Sequence, residues 1–162
     1  MTKPIQVVKT KMIKLYTKSG DKGESGLGRG ERLLKSDLVF EVLGTIDELN
    51  TFIGLAVSEA TNTKQEKLRR ELQRVQNMLL NCGAVVGSGK DTTVEIEREV
   101  AWLEKKIDKY QAGFGDDWYK RFLLPGGTEL AARIDVCRAV CRRAERVLVR
   151  LGTRAIEQSS GW

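Results

Sequence analysis

The sequence predicts an all-α fold, an up-down helix bundle in a single domain over residues 1–162. Three observations carry that reading. Four windows place apolar residues three and four apart, the period of a helix with one buried face. The connections between them are short and rich in glycine, threonine and asparagine, as between antiparallel neighbours. The chain has 41% apolar and 31% charged residues, too apolar for a disordered polymer and long enough for one core.

Residues 1–36 form an N-terminal segment and loop. The first fourteen carry four lysines and no acid. They lack the apolar run of a secretory signal and the arginines of a transit peptide. Met12, Ile13 and Leu15 read as a short strand, and a polar, glycine-rich segment follows to about Ser36.

The bundle spans residues 37–151. Its first helix fits from Asp37 or Phe40 to Glu59, with Val39, Leu43, Ile46, Leu49, Ile53 and Val57 on one face. Thr61-Asn62-Thr63 is a capping turn. The second helix runs from Lys64 to Val86 on a stripe of Leu68, Leu72, Val75, Leu79 and Cys82. After the Gly87–Thr92 loop, a third fits Val94 to Tyr110 through Ile96, Val100, Leu103 and Ile107. Gly113 to Asp117 ends it. Phe122 to Thr128 is a sharp turn, because proline biases Leu124 away from helix and two glycines permit unusual dihedrals. The last helix runs from Glu129 to Leu151 on Leu130, Ile134, Cys137, Cys141 and Leu148; residues 152–162 are a short divergent tail.

Charge and composition narrow the function. Net charge is +6, and much of the excess sits in the first 35 residues and between Arg133 and Arg154. Localised positive charge suits a nucleotide as well as a nucleic acid. Aromatic content is only 6%, which offers no stacking platform for single strands. No apolar run approaches the roughly 20 residues needed to span a bilayer. There is no histidine, so the usual general base is missing and catalysis must rest on positioning, charge or a cofactor. Cys82, Cys137 and Cys141 are an odd number on apolar faces. They read as reduced core thiols in a reducing compartment rather than as metal ligands.

Two clusters can carry chemistry. Tyr16-Thr17-Lys18-Ser19-Gly20-Asp21-Lys22-Gly23-Glu24-Ser25-Gly26 has no apolar residue after Tyr16. Its glycines let backbone N–H groups approach a polyphosphate while its lysines neutralise charge; on composition alone it is equally a solvated loop. It is not a P-loop, since no Gly-Lys-Ser/Thr run stands between a strand and a helix. Arg138, Arg142, Glu145 and Arg146 share one face of the last helix, where an anion or a set of salt bridges must offset them. Asp47 lies at the edge of the first helix's core face, and Arg138 is its candidate partner if those helices pack together.

Four motifs, in order, closely resemble the PduO-type ATP:cob(I)alamin adenosyltransferases. They are the loop Tyr16 to Gly26, Gly44-Thr45-Ile46-Asp47-Glu48-Leu49-Asn50, Phe122-Leu123-Leu124-Pro125-Gly126-Gly127-Thr128, and the helix from Cys137 to Arg146. The resemblance covers about residues 13 to 151. It implies a five-helix, ferritin-like bundle that assembles as a trimer with active sites between subunits. It implies transfer of the 5′-deoxyadenosyl group of ATP to the cobalt of reduced cobalamin, with Mg²⁺ and release of triphosphate. Thr17, Lys18, Ser19, Gly20, Lys22, Ser25, Gly26 and Lys35 would bind ATP from one subunit, and Arg142, Arg143, Glu145 and Arg146 from its neighbour. Asp47 and Arg138 match the family's ion pair on the corrinoid side. Phe122 matches the aromatic that keeps the lower axial face of cobalt free.

The implied partners are ATP, a reduced corrinoid and an adenosylcobalamin-dependent acceptor enzyme, with no nucleic acid and no membrane. The implied compartment is the cytoplasm or, alternatively, the mitochondrial matrix. The family continues after Leu151 into a helix with an Asn-Arg-Leu-Ser-Asp-like run; here the tail has no matching Asn, and the last helix is expected to be truncated or missing. A catalytically weakened ATP- or corrinoid-binding paralogue, and a basic helical nucleic-acid module, are the alternatives.

Overall fold

A computed structural model of the protein describes residues 16–88, 93–115, 120 and 122–159. The strand-like piece expected at Met12 to Leu15 lies outside them. The glycine-rich segment is not plain loop. It folds as a hairpin of β1 (Glu24–Gly26) and β2 (Arg32–Leu34), antiparallel with Ser25 opposite Leu33. Four helices follow: α1 (Leu38–Asn62), α2 (Glu66–Ser88), α3 (Thr93–Gln111) and α4 (Glu129–Ser159).

α1 is the spine, packed against α2 on one side and α4 on the other. Asp37 starts it: its Oδ1 accepts the Val39 N–H at 2.9 Å, which satisfies one of the free donors of the first turn. Its buried face is Val39, Val42, Thr45, Ile46, Leu49, Ile53, Ala56 and Ala60. The Thr45 hydroxyl is accommodated there by donating to the Glu41 carbonyl at 2.7 Å.

α4 contributes Leu130, Cys137, Val140, Ala144 and Val147 to the core. The expected stripe through Cys141 and Leu148 therefore needs correction. A 3.6-residue period carries the buried line from Cys137 through Val140 and Ala144 to Val147, which leaves Cys141 and Leu148 exposed on the flank. Cys137 is the one cysteine sealed in the core, and burial pushes its thiol pKa up. Gly152 does not end α4, which continues from the expected stop at Leu151 to Ser159.

Ion pairs along the edge mark the register of α1 against α4. Arg154 pairs with Asp37, Arg150 with Glu41 and Arg143 with Glu48. The helices are antiparallel, and each step up one is a step down the other. Leu68, Leu72, Val75 and Leu79 of α2 lean on the core without any α2 residue being fully buried. α3 is held to α2 mainly by charge. Arg74 grips Glu99 through two bonds of 2.8 and 3.0 Å, Lys106 and Tyr110 both donate to Glu71 at 2.6 Å, and Trp102 lies under Arg74 and Lys106. A groove of about 310 Å³ opens between these helices and holds none of the expected site residues. No helix among the described residues is long and apolar enough to cross a membrane.

Candidate active site

The loop before β1 is held in shape by its own backbone. Lys18 adopts a left-handed conformation with φ of 59°. The Asp21 N–H then donates to the Lys18 carbonyl at 3.3 Å, and the Gly23 N–H to the Gly20 carbonyl at 3.2 Å. Lys35, just past β2, closes the hairpin by donating its N–H to the Gly23 carbonyl at 2.8 Å. Its side chain returns across the loop: a Cβ on Gly20 would stand 3.1 Å from the Lys35 Nζ and 3.2 Å from the Glu24 carbonyl. A side chain there would crowd both, so glycine leaves room for the close approach.

Thr17, Lys18, Ser19, Gly20, Lys22, Ser25, Gly26 and Lys35 are thus brought together in one hairpin-closed unit. Thr17, Lys18, Ser19, Lys22 and Lys35 are exposed. Such a surface offers ammonium groups and hydroxyls to an anion. Sequence reasoning missed Arg32, whose Nη2 donates to the Ser19 carbonyl at 2.7 Å while its Nε pairs with Glu24 at 3.4 Å. The opposed charges of Glu24 and Arg32, set about a Gly-Arg-Gly turn, were the available signal.

The arginine stripe is real and exposed. Arg142 pairs with Glu145 at 2.7 Å, one turn along the same helix. Arg143 reaches Glu48 on α1, another residue the sequence reading missed. Arg146 is exposed and makes no ion pair with a described residue. Within one chain, no described hydrogen bond or ion pair joins these residues to the loop. The foot of the hairpin faces the other end of α4, where Leu34, Asp37, Glu41, Arg150 and Arg154 line a shallow hollow. Arg154 lies eight to twelve residues beyond Arg146 and Arg142, about 12–18 Å along the helix axis.

The expected Asp47–Arg138 pair is not formed within the chain. Arg138 instead donates its Nε–H to Asp135 at 3.3 Å, and Asp47 is exposed. The reason is register. Arg143 opposite Glu48 sets Arg138 level with residue 53, about 9 Å along the axis from Asp47. Phe122 is wholly exposed, together with Leu123 and Leu124, at the mouth of the turn that leads into α4.

Comparison with known proteins meets the same motifs. The family model for cobalamin adenosyltransferase matches residues 15–160, a span that takes in both the loop and the arginine helix. The chain belongs to the cobalamin adenosyltransferase family. A corrinoid adenosyltransferase of Bacillus subtilis is 45% identical over 143 residues, which are 86% of this chain and 72% of that protein. Corrinoid adenosyltransferase MMAB of Mus musculus is 41% identical over 149 residues, 87% of this chain and 62% of the mouse protein. Among solved structures, a variant PduO-type ATP:corrinoid adenosyltransferase from Lactobacillus reuteri, complexed with cobalamin and ATP, superposes with a TM-score of 0.76 at 35% identity. That match covers 86% of this chain and 76% of the other. Relative to the five-helix bundle that the family resemblance implies, the described residues form four helices, the last running on to Ser159.

Proposed function

We propose that the protein transfers the 5′-deoxyadenosyl group of ATP to the cobalt of cob(I)alamin. The observation that carries this is the family match over residues 15–160, which includes both cationic elements. The substrate's own cobalt is the nucleophile: it attacks C5′, the C5′–O bond breaks, and the electron pair leaves with triphosphate. A chain without histidine suits this division of labour, because the protein has only to orient and to stabilise charge.

In this reading Thr17, Lys18, Ser19, Gly20, Lys22, Ser25, Gly26 and Lys35 hold the nucleotide. Arg142, Arg143, Glu145 and Arg146 of a neighbouring copy complete the nucleotide site, the arginines facing the triphosphate as charge develops on it and Glu145 orienting Arg142. Their separation along α4 within one chain supports a site shared between copies, as in a homotrimer. Asp47 and Arg138, both exposed and out of register within the chain, would meet across that same interface. Phe122, exposed, would lie against the lower face of the corrin and exclude the axial ligand. A four-coordinate Co(II) is then easier to reduce to the nucleophile. The product serves an adenosylcobalamin-dependent acceptor enzyme.

For Mg²⁺ the donors are few. No group of three or more His, Cys, Asp or Glu that could hold a metal occurs among the described residues. The ion would arrive on the phosphates of ATP, as is usual for Mg²⁺, with at most one or two carboxylates from the protein. Aromatic content of only 6% offers no stacking platform, which disfavours the nucleic-acid reading.

The test is spectrophotometric. Purified protein with ATP and chemically generated cob(I)alamin should form adenosylcobalamin and release triphosphate stoichiometrically. Corrinoid binding without turnover would favour the weakened paralogue, and absence of both product and ATP binding would refute the assignment.

A further inference from the structure

Asp135 lies two turns into α4, half-buried, and each of its carboxylate oxygens has a separate donor. Oδ2 accepts the Gly126 N–H at 3.0 Å, and Oδ1 accepts the Arg138 Nε–H at 3.3 Å. An ion pair one turn apart on a helix face contributes little by itself. What sets Asp135 apart is the oxygen that leaves the helix for a backbone N–H in the preceding turn. Gly126 and Gly127 have φ of 124° and 96°, a region that side-chain-bearing residues rarely enter. Thr128 pins the other side of the turn: its hydroxyl accepts the Ala131 N–H at 3.2 Å. The turn is therefore tied to α4 at two points. Upstream of it Phe122, Leu123 and Leu124 are exposed, so packing within the chain does not aim them. Their direction is set at the turn.

We infer that Asp135 is a positioning residue, one carboxylate that fixes the Phe122 segment and the Arg138 guanidinium to a common point on α4. The inference rests on the reading that Phe122 and Arg138 face the corrinoid. Asp135 itself touches no substrate. Its action is to make the aromatic and the cation move as one body, so that an error in the turn becomes an error at the cobalt. Small misplacements of this kind are costly, up to about 100-fold per ångström.

The experiment compares wild type, Asp135→Ala and Asp135→Asn in single turnovers started from cob(II)alamin with reductant and from pre-formed cob(I)alamin. Loss of the clamp should slow the Co(II) route on the order of tenfold more than the Co(I) route. It should also lower the fraction of four-coordinate Co(II) seen by electron paramagnetic resonance. Asparagine keeps an acceptor for Gly126 without the charge for Arg138, so D135N should restore most of that fraction. Amide exchange at Gly126 reads the clamp with no substrate present: D135A should lose at least about tenfold protection there while the amides of central α4 keep theirs. Equal slowing of both routes, a lowered Tm with the ratio of routes unchanged, or unchanged protection of Gly126 would each overturn the inference. Should D135A not fold, Asp135→Ser, whose shorter side chain withdraws the acceptor from Gly126, is read by the same ratio and exchange. If wild type makes no adenosylcobalamin the functional reading fails, whereas Gly126 exchange still judges the clamp alone.

Discussion

The α1–α4 seam and the α2–α3 seam are built from opposite materials. Along α1–α4 the contact is dry: Leu49, Ile53, Ala56, Val140 and Val147 are buried, and ion pairs only trim its edge. Along α2–α3 nothing on α2 is fully buried, and contact runs through Glu71, Arg74, Glu99, Trp102 and Lys106. Ile107 of α3 and Phe114, three residues past its end, remain largely exposed. The first seam carries the stability and sets the register of the arginine stripe. The second adds a layer whose charges are individually weak. Of the proposed site residues, Asp47, Arg138, Arg142, Arg143 and Arg146 lie on these two helices.

The largest blow to this contrast comes from the dry seam. Leu49→Ala should cost about 2–5 kcal/mol by chemical denaturation, as expected when a well-packed core loses a large side chain. Ile107→Ala on α3, the matched deletion, should stay within about 0.5 kcal/mol. Equal losses at the two would erase the distinction.

Next is Asp37, which caps α1 and binds Arg154. The Arg154 hydrogen bond and then the Val39 N–H hold its carboxyl below the usual 3.8. The folded state thus favours the charged form. Its contribution is full above pH 3.8 and is lost as pH falls through the lowered value. Asp37→Ala should cost about 1 kcal/mol at neutral pH, and Asp37→Asn should retain the cap while flattening the acid limb of the stability curve.

In the wet seam, Glu71 accepts the Tyr110 proton and pushes that phenol up to about 12. Burial raises the Glu71 carboxyl, but Lys106 and Tyr110 together hold it below the usual range. The Tyr110 contribution to stability is complete below pH 10 and disappears as pH rises from there to about 12. Glu71→Gln should return the phenol toward 10, read as ultraviolet absorbance of phenolate, with only a small change in stability.

Smallest for stability and largest for activity is Arg142→Ala. Unfolding should shift by no more than about 0.5 kcal/mol. Use of ATP should fall roughly tenfold or more, in line with a lost hydrogen bond to a charged group. A variant that merely unfolds more easily and turns over normally would return the stripe to ordinary solvated surface.

The helices were legible because each has one apolar face, and a period survives any tertiary arrangement. Their ends were less so. The last helix is expected to end at Leu151, yet α4 runs on to Ser159, and its Arg154 pairs with Asp37. The loop's residues could be named from composition, but its hairpin could not: β1 and β2 are three residues each, too short for an alternating pattern. Cys141 and Leu148 were misassigned because a stripe chosen by residue type ignored the small, buried Ala144. The Asp47–Arg138 pair depended on register, and register is written in Glu48 and Arg143, residues that only pair once the helices are docked.

That register has a genetic consequence. If the loop and the arginine stripe of one site come from different copies, two inactive alleles can rescue each other. A Lys18→Ala chain still donates intact arginines, and an Arg142→Ala chain still donates an intact loop. Randomly mixed trimers of the two would carry about a quarter of their sites unmarred, since each copy presents a different face to each neighbour. By the same arithmetic, a single chain bearing both substitutions spoils sites on either side of itself and would act dominantly in a mixed population.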